Sequence, residues 1–232
     1  MEPIRIFVGT EPNQWLPTVV LKSSIARRTK APLEFHDLKG IELNLKVKMY
    51  TGFSFFRYHI PELCGYRGRG IYLDADMVCV ADIQELYEMD MKDKGALSKV
   101  KDKKSYYTSC LLLDCERLKH WNIREWALLI NAGLTSYWGI MSGDPSGINH
   151  DDFGPLDPIW NHFDRYYDTT KIIHYTTVPT QPWKMPGHPY RDLFLREMKE
   201  TIRAGDLSLD EVRSEIEKKH VYSRIIEDME AS

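Results

Sequence analysis

Two aspartates separated by one residue, Asp74 and Asp76, follow the apolar run Ile71-Tyr72-Leu73. Alternate residues at a strand end point to one side, so both carboxylates can converge at the carboxyl edge of that strand. Ligands of open α/β sheets collect at this edge. Two hard oxygen ligands suit Mg²⁺ or Mn²⁺, which keep further positions for water and phosphate oxygens. The spacing by itself is weak. With 18 aspartates in 232 residues, about one such pair arises by chance, and two carboxylates that merely cap a turn are the plain alternative.

The elements that must position the pair are legible around it. Ile4-Arg5-Ile6-Phe7-Val8-Gly9 reads as a short buried strand, residues 15–28 as a helix and Leu33-Glu34-Phe35-His36 as a second strand. That order opens a parallel βαβ unit. Residues 38–52 have weak periodicity, and Phe55 to Leu63 suggests a helix interrupted or restarted at Pro61. Further strands are expected at 71–73, 106–113 and 171–175, with helices at 82–87, 116–130 and 190–204. A last helix starts at Ser208, where Ser208-Leu209-Asp210-Glu211 fits a capping box. Its apolar stripe, Val212, Ile216, Val221, Ile225 and Ile226, suits docking on the domain or on a second copy, so a homodimer through the C-terminal helices is an open expectation. Residues 133–156 read as a long loop, functional or mobile.

Composition bounds the function. With 43% apolar and 28% charged residues, the expectation is one α/β domain over 1–232, with 189–232 a C-terminal helical extension. A net charge of -3 gives no basic footprint for nucleic acid. No apolar stretch approaches the roughly 20 residues of a membrane span. The first residues lack a basic and apolar leader pattern, which makes a cytoplasmic address the expectation. Cys64, Cys79, Cys110 and Cys115 show no C-x-x-C spacing and read as reduced, buried thiols.

Asp74-x-Asp76-x-Val78 behind an apolar strand is similar to the haloacid-dehalogenase phosphatase signature, whose first Asp is a nucleophile and second an acid/base. That family usually places its motif on the first strand, whereas about 70 residues precede this one. A larger set of blocks resembles the retaining family 8 glycosyltransferases. Phe56-Arg57-Tyr58-His59-Ile60-Pro61-Glu62-Leu63 and then Ile71 to Val78 match an R-x-x-x-P…YLD-x-D pattern. Tyr107 to Leu113 resembles an FN-[AS]-G-V strand, and Ile173-His174-Tyr175 through Gln181-Pro182-Trp183 resembles H-[FY]-x-G-x-x-K-P-W. The blocks occur in family order across about residues 4–183.

This resemblance implies a GT-A fold, a Rossmann-like mixed sheet flanked by helices. It implies a nucleotide-sugar donor, commonly a UDP-sugar, with Mn²⁺ or Mg²⁺, and a carbohydrate or other hydroxyl acceptor. Carried over, Asp74, Asp76 and His174 ligate the metal, while Arg57 and Asp74 reach the donor. Thr10 and Glu11 line the nucleotide pocket, and Thr108, Ser109, Gln181 and Trp183 complete the donor side. Asp157, in Leu156-Asp157-Pro158-Ile159-Trp160-Asn161, is the catalytic candidate, as cation stabiliser or transient nucleophile. Three positions depart from the pattern: Thr108 stands for the usual Asn, Cys110 for Gly and Gln181 for a phosphate-binding Lys. These departures keep a noncatalytic sugar-nucleotide-binding module as an alternative beside the phosphatase.

Overall fold

The computed structural model describes residues 2–143 and 150–232. Its strands run in chain order β1 (Ile4–Gly9), β2 (Leu33–Leu38), β3 (Arg69–Asp74), β4 (Met77–Cys79), β5 (Ala96–Val100), β6 (Tyr106–Asp114), β7 (Phe153–Leu156), β8 (His162–Phe163) and β9 (Ile172–His174). The α-helices are α1 (Trp15–Ala26), α2 (Ile60–Leu63), α3 (Gln84–Tyr87), α4 (Ile123–Asn131), α5 (Tyr137–Met141), α6 (Arg191–Arg203), α7 (Leu209–Glu217) and α8 (Ile225–Glu230). The chain forms two compact units. One holds the residues up to Glu11, Ala31–Asp74 and Gln84–Trp160; the other holds Pro12–Lys30, Ala75–Ile83 and Asn161–Ser232.

The first unit is built on a six-stranded mixed sheet in the order β2-β1-β3-β6-β5-β7. β1 has parallel neighbours on both sides, β2 and β3, so the strand order reverses there and a crevice opens at its carboxyl end. The near-continuous burial of Ile4, Ile6, Phe7, Val8, Ile71, Tyr72 and Leu73 is what a strand covered on both faces requires. Register sets Gly9 opposite Asp74. A Cβ at Gly9 would stand 2.3 Å from the Tyr72 hydroxyl and 2.5 Å from Phe53, so only glycine permits this approach. Beneath the site lies an aromatic core that includes Phe7, Tyr58, Tyr72, Trp121 and Trp126.

Two expectations change in this unit. The helix expected from residue 116 begins at Ile123, because Asn122 accepts from the Arg124 and Glu125 amides and fixes the start. Within the expected loop 133–156, Ser136 caps α5, and β7 extends the sheet beside β5. Strand propensity at Phe153-Gly154-Pro155-Leu156 is low, and pairing with β5 overrides it. Residues 144–149 of that stretch lie outside the described residues.

The second unit carries the three-stranded sheet β4-β9-β8 and a core including Leu16, Val20, Tyr175, Trp183, Phe194 and Met198. Glu197 on α6 receives Arg27 at 2.5 Å and Arg28 at 2.6 Å from the end of α1. The capping box at Ser208 and Glu211 forms as expected. The helix expected to continue through Ile226 instead divides into α7 and α8, with Lys219 at φ 61° in the break. Val212, Val221 and Ile225 from the expected stripe are buried in this unit's own core. Among the described residues no helix is long and apolar enough to cross a membrane. All four cysteines are buried and unbridged, and burial pushes the Cys79 thiol up to about 12.

Candidate active site

Asp74 closes β3, where the sheet's polarity brings it to the crevice edge. Its Oδ1 accepts from the Tyr72 hydroxyl and from Arg57 Nη2 at 3.2 Å. Arg57 is buried. Its Nε donates to the Ser54 carbonyl at 2.7 Å, and its Nη1 donates to the Thr108 carbonyl and, at 3.2 Å, to Thr108 Oγ1. The guanidinium carbon lies 4.5 Å from the Tyr72 ring centre. Burial opposes its charge, but Tyr72 and Asp74 more than offset this and hold its pKa above the ordinary value. Arg57 therefore positions Asp74. Thr108, expected on the donor side, anchors Arg57 and donates to the Met141 carbonyl at 2.8 Å.

Asp76 lies in the second unit, and its carboxylate is buried. Gln181 Nε2 donates to Asp76 Oδ2 at 2.9 Å and to the Tyr175 carbonyl at 2.8 Å. A glutamine at a position expected to meet phosphate thus orients a carboxylate; its amide is fully buried. His174 Nε2 stands 3.0 Å from Asp76 Oδ1, yet Oδ1 accepts no hydrogen bond. On the far side of the ring, His174 Nδ1 lies 3.1 Å from the Asn161 side-chain oxygen. A carboxylate oxygen and an imidazole nitrogen at this distance suit a shared cation, and a side-chain carbonyl at the distal nitrogen is the usual support of a metal-binding histidine.

Asp76 and His174 both belong to the second unit, and Asp74, at the end of β3 in the first, stands two positions earlier in the chain than Asp76. Two carboxylates and an imidazole suit Mn²⁺ and also accommodate Mg²⁺. Thr10 and Glu11 follow β1; Thr10 is buried, and Glu11 Oε1 accepts from the Gly52 amide at 2.5 Å. Ser109 is half-buried on β6. Trp183 departs from its expected place on the donor, because its indole is wholly buried against Phe194 and Tyr175. Asp157 is exposed, and its Oδ1 accepts from the Ile159 amide at 3.1 Å. Since β7 runs parallel to β3, Asp157 leaves the same sheet edge as Asp74, but three strand positions across, roughly 14 Å at ordinary strand spacing. Tyr72 and Asn161 were not among the expected site residues. Each stands inside a block already singled out, Tyr72 two residues before Asp74 and Asn161 four after Asp157.

The fold is that of GT-A structures. The crystal structure of galactosyltransferase LgtC in complex with donor and acceptor sugar analogues matches with a TM-score of 0.63 and 14% identity, over 88% of this chain and 100% of that one. The apo form of GlyE from Streptococcus pneumoniae TIGR4 matches with a TM-score of 0.64 and 16% identity, over 88% of this chain and 63% of that one. Residues 14–136, more than half of the sequence, match the model of glycosyl transferase family 8. The chain belongs to that family and is a glycosyltransferase. Protein CDI of Arabidopsis thaliana is 25% identical, over 91% of this chain and 92% of that protein. The phosphatase and noncatalytic readings are not favoured beside this membership.

Proposed function

We propose that this glycosyltransferase moves a sugar from a UDP-sugar to a carbohydrate or other hydroxyl acceptor, with retention at the anomeric carbon and dependence on Mn²⁺ or Mg²⁺. The observation that carries the reading is the approach of Asp76 Oδ1 to His174 Nε2 at 3.0 Å in a chain of this family. Asp74, Asp76 and His174 would hold the ion. When bound, it supplies positive charge against the charge that builds on the departing diphosphate. Arg57 and Tyr72 orient Asp74; Gln181 orients Asp76, and Asn161 orients the ring of His174. Thr10 and Glu11, past the carboxyl end of β1, line the nucleotide side, with Ser109 nearer the sugar. In the transfer, the bond from the anomeric carbon to the phosphate oxygen breaks with its electron pair on the diphosphate. The acceptor oxygen bonds that carbon from the same face, and its proton passes to the diphosphate. Asp157 is retained as the catalytic candidate for stabilising the cation-like sugar; for that, the acceptor-side edge must bring its carboxylate to the sugar.

The test is hydrolysis and transfer across a panel of nucleotide-sugars with Mn²⁺, using the whole chain and Asp76→Ala. Turnover of a UDP-sugar, with Mn²⁺-dependent UDP binding lost in the variant, is the expected result. Unchanged Mn²⁺-dependent UDP binding by Asp76→Ala overturns the metal assignment, and full transfer by Asp157→Asn removes Asp157 from the chemistry.

A further inference from the structure

Two of the four cysteines meet inside the first unit. Cys64 caps the end of α2 and Cys115 follows β6; their thiols are hydrogen-bonded to each other, and both belong to the same core cluster. Backbone geometry brings them together. The Gly65 and Tyr66 amides donate back to the Glu62 and Pro61 carbonyls at 2.8 Å and 2.7 Å. Gly65, Tyr66 and Gly68 then turn through the left-handed region at φ 60°, 55° and 61°, which ends the helix and returns the chain to the sheet. The ladder sets Arg69 opposite Asp114, and the Cys115 amide extends it by donating to the Gly68 carbonyl at 2.9 Å.

The two thiols are not equivalent. Cys64 is 8% exposed and Cys115 0%, so a solute reaches the pair at Cys64. Its hydrogen bond with the Cys115 thiol and the nearby Arg5 guanidinium hold the Cys64 thiol below its ordinary value, against burial and the Glu34 carboxylate. The same hydrogen bond and burial push the Cys115 thiol up. Arg5 is fixed in place, with Nη1 donating to the Cys64 carbonyl at 3.5 Å and Nη2 to the Arg67 and Arg69 carbonyls at 2.5 Å and 3.0 Å. Cys79 and Cys110 are wholly buried, and Cys79 belongs to the second unit.

We infer that Cys64 and Cys115 form a modification site for hydroperoxides, a dithiol that closes to a reversible disulfide with Cys64 as the attacking sulfur and Cys115 as the resolving one. An accessible thiol beside a resolving partner is the arrangement that such oxidation selects. The Cys64 thiolate attacks one peroxide oxygen; the O–O bond breaks, and the other oxygen leaves with the electron pair and takes a proton as water. The Cys115 sulfur then attacks the resulting sulfenic sulfur. The S–S bond forms, the S–O bond breaks, and the hydroxyl leaves as water with the Cys115 proton. Two electrons pass from the two sulfurs to hydrogen peroxide, which becomes two waters. The bridge has a structural consequence, because α2 continues directly from the Phe56–His59 turn that carries Arg57, and β6 carries Thr108, to which Arg57 donates. It fastens to each other the two elements that hold Arg57, and by restricting the unfolded chain it favours the folded one.

The test treats the whole chain with hydrogen peroxide under native conditions and counts thiols after denaturation. The expected result is a fall from four thiols to two, restored by a thiol reductant, with a higher melting temperature in the oxidised form. Digestion with trypsin and cleavage before Asp114, which separates Cys110 from Cys115, should recover the Cys64 and Cys115 peptides joined. In Cys115→Ser, checked by circular dichroism, dimedone should label a sulfenic acid at Cys64; in Cys64→Ser, Cys115 should react no faster than Cys79 or Cys110. Four thiols surviving peroxide in the wild-type chain overturn the inference whatever the variants do. So does a bridge to Cys79 or Cys110, a bridge between two chains, or oxidation of Cys64 to a sulfinic acid with the Cys115 thiol intact.

Discussion

The two ring nitrogens of His174 face different partners, the Asn161 oxygen at 3.1 Å from Nδ1 and Asp76 Oδ1 at 3.0 Å from Nε2. If His174 holds the metal as proposed, Asn161→Ala removes the group that orients its ring and should weaken Mn²⁺ binding by about 10- to 100-fold; a Mn²⁺ titration followed through UDP binding checks this, with the melting temperature as control. Asp164 makes a separate statement about stability. Burial opposes its charge, but the hydroxyls of Thr176 and Thr177 and the ring of His188 outweigh that and hold its carboxyl below the ordinary range. A depressed carboxylate stabilises the fold above its unfolded pKa of about 3.9 and loses that contribution as pH falls through the folded value. Asp164→Asn should therefore unfold more readily than the wild type at pH 7, with the gap narrowing as pH falls below about 4. Denaturant titrations at pH 7, 5 and 3 measure that gap.

At the scale of elements, the approach of β1 to β3 is the critical spacing. Gly9 faces Asp74 across the ladder, and an added Cβ would meet the hydroxyl of Tyr72 and the ring of Phe53. Gly9→Ala should cost about 1–3 kcal/mol through overpacking. It should also lower metal-dependent UDP affinity, because the displaced hydroxyl is the one that binds Asp74. Urea unfolding and calorimetry on the same preparation check both halves; a stable variant with unaltered binding contradicts the coupling. By contrast, β7 shows pairing at work where propensity is poor. A Gly-Pro pair in a strand is unfavourable in isolation, and the edge position beside β5 accommodates the proline's missing donor.

For the whole molecule, the net charge of -3, which includes Asp74 and Asp76, offers no general attraction for the proposed diphosphate. The guanidinium of Arg57 is paired with Asp74, and position 181 is a buried glutamine rather than a lysine. UDP alone should leave the melting temperature unchanged. UDP with Mn²⁺ at about 100 times its Kd should stabilise the fold by about 2.7 kcal/mol, a rise of several degrees that EDTA reverses. A rise with UDP and EDTA together contradicts the dependence on metal.

The sequence alone determined the first strand, the first helix, the D-x-D edge and the capping box at Ser208, because each is set by residues close in the chain. It also determined the class of chemistry, since four blocks in order carry more information than any one spacing. Only the tertiary structure decided which side chains serve which partner. Arg57 and Thr108 hold Asp74, Gln181 holds Asp76, and Trp183 packs in the core. Tyr72 and Asn161 acquired roles that no local pattern assigns. These assignments depend on hydrogen bonds between residues as far apart as 105 positions, Asp76 to Gln181, and on burial, which removes water as the competing partner and leaves each polar atom to be satisfied by the protein.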